Sequence, residues 1–271
     1  MSQHLLAARP ECVLSWRQTK LRPPEKPKRP ALGEGRLDFS SPSGRFLADR
    51  SDQSLLSGLP THLLGKLFEA AKTVRLRACE VLLLAGDAGD GCYRVEDGLL
   101  KVAMVSRSGS ERILALLGPG NIVGELSIID DLPRSASVVA VRPTSLSFLS
   151  RTAFEQFAKE HPEIYKSLVK LLAARLRETD GTIAAGSFLP LKGRVACTLL
   201  ELAENFGQDV GSGRIVIHQK IGQGDLAAMA GIARENVSRI LNDWKRRKVI
   251  SRLSGYYCLE DKATLESETE R

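Results

Sequence analysis

One stretch constrains this chain more than any other: Gln223 to Trp244, QGDLAAMAGIARENVSRILNDW. Counting Gln223 as the first position, Ala227 is fifth, Gly231 ninth and Val237 fifteenth. A helix-turn-helix needs a small residue near the fifth position, where its two helices cross. It favours glycine at the ninth, where the turn can need φ > 0, and an aliphatic residue at the fifteenth, packing back on the first helix. The second helix, read from about Ala233 to Arg247, carries Val237, Ile240, Leu241 and Trp244 at i, i+3, i+4 and i+7, which is a buried stripe. Arg234, Glu235, Ser238 and Arg239 share its other face with Asn236 beside them. Arginine donates two hydrogen bonds to guanine O6 and N7, and glutamate accepts from cytosine N4. Lys245 opens a basic run through Lys248 at the C-terminal end, where phosphates and the helix dipole both favour cations. A helical hairpin with a solvated charged face would share the fifth-ninth-fifteenth pattern. The polar face, the basic run and the segment that follows favour the DNA-reading motif. That segment, Val249–Arg252, Ser254-Gly255 and Tyr256–Leu259, reads as two short strands around a turn, a wing. The first helix lacks a strong start, because Gly222 stands where Ser or Thr usually caps.

At 271 residues the chain is long enough for two domains. A net charge of +7 suits a polyanionic partner. No run of 18 or more apolar residues occurs, and the N-terminus has no signal-peptide core of useful length, so we expect a cytoplasmic protein without a membrane span. The five cysteines (Cys12, Cys79, Cys92, Cys197, Cys258) and four histidines are scattered. We therefore expect reduced thiols and no metal or iron–sulfur site. There is no paired nucleophile and base and no phosphate-binding Walker or dinucleotide loop, so we expect no enzyme.

Residues 1–50 carry six of the twelve prolines, including the basic run RPPEKPKRP, and read as a disordered tail. Leu55 to Ala71 reads as a helix with Pro60 in its first turn. From Thr73 to Leu149 the apolar segments are short and broken by Gly, Pro, Asp and Ser, which predicts an antiparallel barrel or jelly roll. Within it, Gly124 to Ala140, GELSIIDDLPRSASVVA, departs from alternation. An arginine, a serine hydroxyl and free backbone N–H groups in a short loop or helix make a phosphate cradle. The residues fit equally well a Glu125–Arg134 salt bridge closing a surface loop. Ala153 to about Ala185 reads as a long helix interrupted near Pro162. Tyr165, Leu168, Leu172, Leu176, Thr179 and Ile183 form a seam suited to a partner helix, with packing on the chain's own barrel as the alternative. Gly181 and Gly186 weaken its end and mark a hinge before Leu189-Pro190.

GEL at 124–126, followed by SIIDDLPR and then SA, resembles the phosphate-binding cassette of cyclic-nucleotide-binding domains. The Y-x-V-x-x-G and L-x-P-G-x-x-x-G-E signposts upstream resemble the same domain. LPLKGRVACTLLELA and RENVSRIL resemble the DNA-binding half of the Crp/Fnr superfamily of transcription regulators. The likeness covers about residues 52 to 262. It implies an α+β chain: a cyclic-nucleotide-binding jelly roll over 51–152, a dimer helix region over 153–187, a winged helix-turn-helix over 188–262 and a tail over 263–271. It implies that Glu125 binds the ribose 2′-hydroxyl and that Arg134 and Ser135 bind the cyclic phosphate, with Gly124 and Leu126 shaping the cassette. Thr179 falls where the family's base-contacting threonine lies. Asp180 follows where the cyclic-AMP branch has serine, so the choice between cAMP, favoured here, and cGMP stays open. Arg234, Glu235 and Arg239 match the base-reading positions, which implies a homodimer on a palindrome of TGTGA-like half-sites in double-stranded DNA, with RNA polymerase as a further partner. Ser238 makes E-x-x-S-R, as in the Fnr branch with its TTGAT-like half-site; Arg234 favours TGTGA. A regulator of this family that answers to no nucleotide, or to another signal, and a nucleotide-binding protein-interaction module are the alternatives.

Overall fold

A computed structural model describes residues 61–69 and 71–270, leaving aside the side chains at 61–64, 171, 175 and 178. The expectations for residues 1–50 and for the start of the first helix around Pro60 lie outside the described residues. The part of that helix described is α1, Thr61–Glu69.

Eight short strands follow: β1 (Lys72–Leu76), β2 (Val81–Leu83), β3 (Gly91–Asp97), β4 (Leu100–Val105), β5 (Glu111–Leu117), β6 (Ile122–Val123), β7 (Ser137–Ala140) and β8 (Thr144–Ser150), with a four-residue helix α2 (Leu126–Ile129) between β6 and β7. They pair antiparallel in two sheets, β1-β8-β3-β6 and β2-β7-β4-β5. Alternation sends Leu76, Val95, Val123 and Leu146 from the first sheet, and Leu100, Leu117, Val138 and Ala140 from the second, into one core. Two sheets closed on each other in this way are the jelly roll the turn spacing predicts.

The outer side of the first sheet is covered by helices. Ser150 ends β8 and caps α3 (Arg151–Glu160), its hydroxyl accepting the Ala153 N–H at 3.3 Å. His161 and Pro162 break the chain before α4 (Glu163–Phe188). Leu67 and Phe68 of α1, Ile128 of α2, Phe154 and Ala158 of α3, and Ile164 and Leu168 of α4 pack together with Cys92, Ile122 and Leu149. Leu168 therefore belongs to the barrel layer and is 6% exposed, which corrects its place in the partner-facing seam. The exposed row is Tyr165, Val169, Leu176 and Ile183, with Leu172 half-buried and Thr179 exposed among them. Substituting Val169, 65% exposed, for Leu168 turns the spacing into 4-3-4-3-4, the heptad period. The helix also runs through Gly181 and Gly186 without ending; the break comes at Leu189, whose backbone is extended. The two glycines are tolerated where i→i−4 bonds continue on both sides, while Pro190 has no N–H to continue them.

The C-terminal part begins with α5 (Leu191–Phe206) and continues through β9 (Gly207–Asp209), β10 (Ile215–Ile217), α6 (Gln223–Ala230), α7 (Arg234–Arg246), β11 (Ile250–Leu253) and β12 (Tyr256–Leu259). Its sheet runs β11-β12-β10-β9. The expected tail at 263–271 is instead a helix, α8 (Lys262–Thr269), over its described length. Asp261 caps it, accepting the Thr264 N–H at 3.0 Å, and Leu265 is buried against the domain core. Two apolar residues, Ala263 and Leu265, in an otherwise polar octapeptide left too weak a periodic signal to see. Of the thiols, Cys92, Cys197 and Cys258 are free as expected, whereas Cys79 is disulfide-bonded.

Candidate functional site

The cassette starts where β6 stops. Gly124 takes φ +82°, a left-handed conformation that L side chains rarely adopt, and turns the chain into α2. A Cβ there would come within 2.6 Å of Arg134 Nη1, so the glycine also admits the guanidinium. Glu125 is buried and, with Cys92, Ile128 and Leu168, lines a cavity of about 20 Å³ beneath the helical layer. Ser135 is exposed and Leu126 half-buried.

Arg134 is 5% exposed. Its Nη1 donates to Gly91 O at 2.8 Å, Gly124 O at 2.6 Å and Ser127 Oγ at 2.6 Å. Its Nη2 pairs with Asp90 Oδ1 at 3.2 Å. Nε is buried with no hydrogen-bond partner. A buried arginine is expensive unless its donors are met. Here one edge of the fork is saturated by the protein. The Nε–Nη2 edge holds one carboxylate oxygen, from an Asp90 that is itself 76% exposed on its side chain. Such an edge has the geometry for a bidentate anion. The main chain fixes the arginine's stem: Arg134 N–H donates to Asp87 O and Gly86 N–H to Arg134 O, both at 2.8 Å.

The guanidinium thus rests on Asp90, Gly91 and Ser127, none of which the sequence reading singled out. Asp90 and Gly91 lie more than 40 residues upstream, and no periodicity links them to Arg134. Cys92 sits in the same environment. Burial first, and then the Glu125 charge, push its thiol up to about 12, against the pull of Arg134. A thiol so placed stays protonated and is a poor nucleophile. Thr179 and Asp180 lie on the exposed surface of α4.

The reading head is built differently. Asp225 Oδ2 accepts the Gly222 N–H at 3.0 Å, so the third helical residue supplies the cap that Gly222 lacks. α6 ends at Gly231 in the left-handed conformation, φ 66°, with Ala227 buried at the helix crossing. The Arg112 guanidinium of β5 lies over this turn, where a Cβ on Gly231 would strike it. α7 buries Val237, Ile240, Leu241 and Trp244. Arg234, Glu235 and Arg239 are exposed, with Asn236, Ser238 and Lys245 partly so. Arg239 Nη2 donates to Asn236 Oδ1, which steadies one turn of the polar face.

At the far end of α7, Asp243 is held by Lys192 of α5 at 3.1 Å, Arg246 at 3.4 Å and Arg247 at 3.8 Å. The Lys192 hydrogen bond above all keeps its carboxyl below the usual range. Lys220 and Arg252 add cations at the wing: Lys220 lies over the Tyr256 ring, and Arg252 lies over Tyr257 while donating to Ile221 O at 3.3 Å. Neither was singled out in the sequence, because cation–ring stacking joins residues with no fixed spacing.

A jelly roll with such a cassette, followed by a long helix and a winged helix-turn-helix, defines a transcription regulator that couples a small-ligand domain to DNA. Residues 73–161 match the cyclic nucleotide-binding domain, and residues 193–268 match the Crp-like helix-turn-helix domain. The chain is 31% identical over 217 residues to a CRP-like cAMP-activated global transcriptional regulator of Mycobacterium tuberculosis, covering 80% of this chain and 93% of that protein. It is 38% identical over 181 residues to the cyclic AMP receptor protein of Thermus thermophilus, covering 67% and 80%. A CRP/FNR-family transcriptional regulator from Thermus thermophilus superposes with a TM-score of 0.62 at 29% identity, over 74% of this chain and 99% of that one. The chain belongs to the Crp/Fnr family of transcription regulators. Among the described residues no helix is long and apolar enough to cross a membrane, and no group of three or more His, Cys, Asp or Glu residues is placed to hold a metal.

Proposed function

We propose that this regulator is gated by a cyclic nucleotide, cAMP before cGMP, and acts as a cytoplasmic homodimer on palindromes of TGTGA-like half-sites, handing its signal to RNA polymerase. The observation that carries the gating is the unpartnered Arg134 Nε, buried beside an Nη2 that holds only an exposed carboxylate. In this reading the cyclic phosphate takes the Nε–Nη2 edge with the Ser135 hydroxyl, and Glu125 turns to the ribose 2′-hydroxyl within the turn shaped by Gly124 and Leu126. Thr179 and Asp180 meet the base. The Mycobacterium relative is named as cAMP-activated and the Thermus relative as a cyclic AMP receptor, which supports the choice of nucleotide.

The exposed heptad of Tyr165, Val169, Leu172, Leu176, Thr179 and Ile183 supports a parallel pair of α4 helices, which sets two copies of α7 about 34 Å apart, one DNA turn. Arg234, Glu235, Asn236, Ser238 and Arg239 then face base edges, with Lys245 on the backbone. The nucleotide acts only through its different affinity for the DNA-competent arrangement.

One observation favours a second reading, a factor that works without nucleotide: Asp90 already occupies part of the arginine edge, and Glu125 lines the inner cavity. Calorimetry with cAMP and with cGMP separates the two, followed by anisotropy on a TGTGA palindrome at several salt concentrations. Heat from a nucleotide together with nucleotide-dependent binding supports gating. Binding to the palindrome with no heat from either nucleotide supports the second reading. A strictly monomeric protein, or one indifferent to duplexes at low salt, overturns both.

A further inference from the structure

Arg134 does not stand alone in the cassette. Arg151, the first residue of α3, grips the same two residues from the other side. Its N–H donates to Asp90 O at 2.9 Å. Its Nη2 donates to Ser127 O at 2.5 Å and to Gly89 O at 3.1 Å, and its Nη1 pairs with Asp131, just past the end of α2. Asp90 and Ser127 are thus each held twice. Asp90 gives its carboxylate to Arg134 and its carbonyl to the Arg151 N–H. Ser127 gives its hydroxyl to Arg134 and its carbonyl to the Arg151 side chain. Asp131 sits at φ 57°, a conformation that costs a non-glycine residue and is kept only where its surroundings hold it.

We propose that Arg151 is a positioning residue that transmits the state of Arg134 to the dimer helix. Arg134 cannot turn toward an anion without disturbing Ser127 and Asp90. Any anion on the Nε–Nη2 edge also repels the Asp90 carboxylate. Both changes reach Arg151 through groups it bonds directly. Arg151 opens α3, whose Phe154 and Ala158 share one apolar cluster with Ile164 and Leu168 of α4. A guanidinium suits the task because one planar fork serves two carbonyls and a carboxylate at once; an ammonium does not reproduce that. This inference rests on nucleotide gating, so its test separates the two.

Arg151→Gln, Arg151→Lys and Asp131→Asn are compared with the full wild-type chain, using cAMP as the probe. Nucleotide affinity is read by calorimetry, and DNA affinity by anisotropy with and without cAMP. For Arg151→Gln the nucleotide affinity should stay within about fivefold of wild type while the cAMP-driven gain in DNA affinity falls at least about tenfold. Arg151→Lys should fall between the two. Asp131→Asn, which removes the charge of one arm and leaves the carbonyl contacts, should lose about threefold of the gain, and it keeps the test open should Arg151→Gln fail to fold. Full stimulation in Arg151→Gln, or a loss of nucleotide affinity as large as the loss of stimulation, overturns the relay and leaves gating intact. A wild type that ignores cAMP and cGMP overturns gating instead. In that event amide hydrogen exchange on ligand-free Arg151→Gln still judges the clamp: faster exchange across residues 124–131 and the first turn of α3 upholds it, and unchanged protection overturns it.

Discussion

The cassette and the reading helix α7 each depend on arginines, but they place them oppositely. Arg234 and Arg239 face solvent on a helix whose other side is buried, so support and function share 13 consecutive residues. Arg134 faces protein and is supported by groups from the β2–β3 turn, the start of β3, the turn after β6 and α2. In α7 a change on the polar face leaves the support standing. In the cassette the arginine proposed to meet the ligand is itself part of the support. An exposed arginine waits for its partner in water, whereas a buried one must be partnered before the ligand arrives.

The largest break in the comparison should come from Trp244→Ala. Trp244 is fully buried in the C-terminal core, and truncating it should cost about 3–5 kcal/mol. Urea denaturation should then show the reading head unfolding early, with nucleotide heat retained by the barrel. Arg134→Ala should strike fold and function together. Nucleotide binding should vanish in calorimetry, and the barrel should lose about 1–3 kcal/mol for each acceptor left unpaired. Ser127 Oγ, which also donates to Gly124 O, softens the second effect. Arg239→Ala should separate what Arg134→Ala joins. Site selection should lose about 1–3 kcal/mol of base discrimination at one position, with the melting curve unchanged. An equal weakening on all sequences would make Arg239 a phosphate contact.

The smallest expected effect distinguishes the regions by pH. Cys92 has its pKa raised from 9.0 to about 12, so its contribution is full below pH 9 and is lost as pH climbs toward 12, at most about 1.4 kcal/mol per pH unit. Asp243 at the end of α7 is lowered below 3.8, so its contribution is present above that value and is lost on acidification. Burial raises the Cys197 thiol of α5 to about 11 in the same way, so the melting temperatures of both domains should fall toward pH 11; Cys92→Ala should shrink the alkaline slope of the barrel alone, and Asp243→Asn the acid slope of the C-terminal domain alone.

How much could be read beforehand follows the same divide. The stripe of α7, the left-handed Gly231 and the wing hairpin are all set by neighbours within a few residues, and they stand as read. Leu168 and Val169 are adjacent and both aliphatic; which one faces the barrel depends on where α4 docks, and spacing alone does not distinguish them. Helix α8 escaped notice because Leu265 is its one large apolar residue, and the other residue it buries is Glu268. Arg134 was singled out as a cassette residue, but the groups that hold it, Asp90, Gly91 and Ser127, were not.

The sequence by itself determined that a helix-turn-helix follows a β-rich domain, because helical and strand periods are written in the spacing of apolar residues. Only the tertiary structure decided what holds Arg134, that Arg151 grips the same Asp90 and Ser127, and which face of α4 is left bare. Those facts depend on groups brought together from distant parts of the chain, where hydrogen-bond geometry leaves no mark on local spacing.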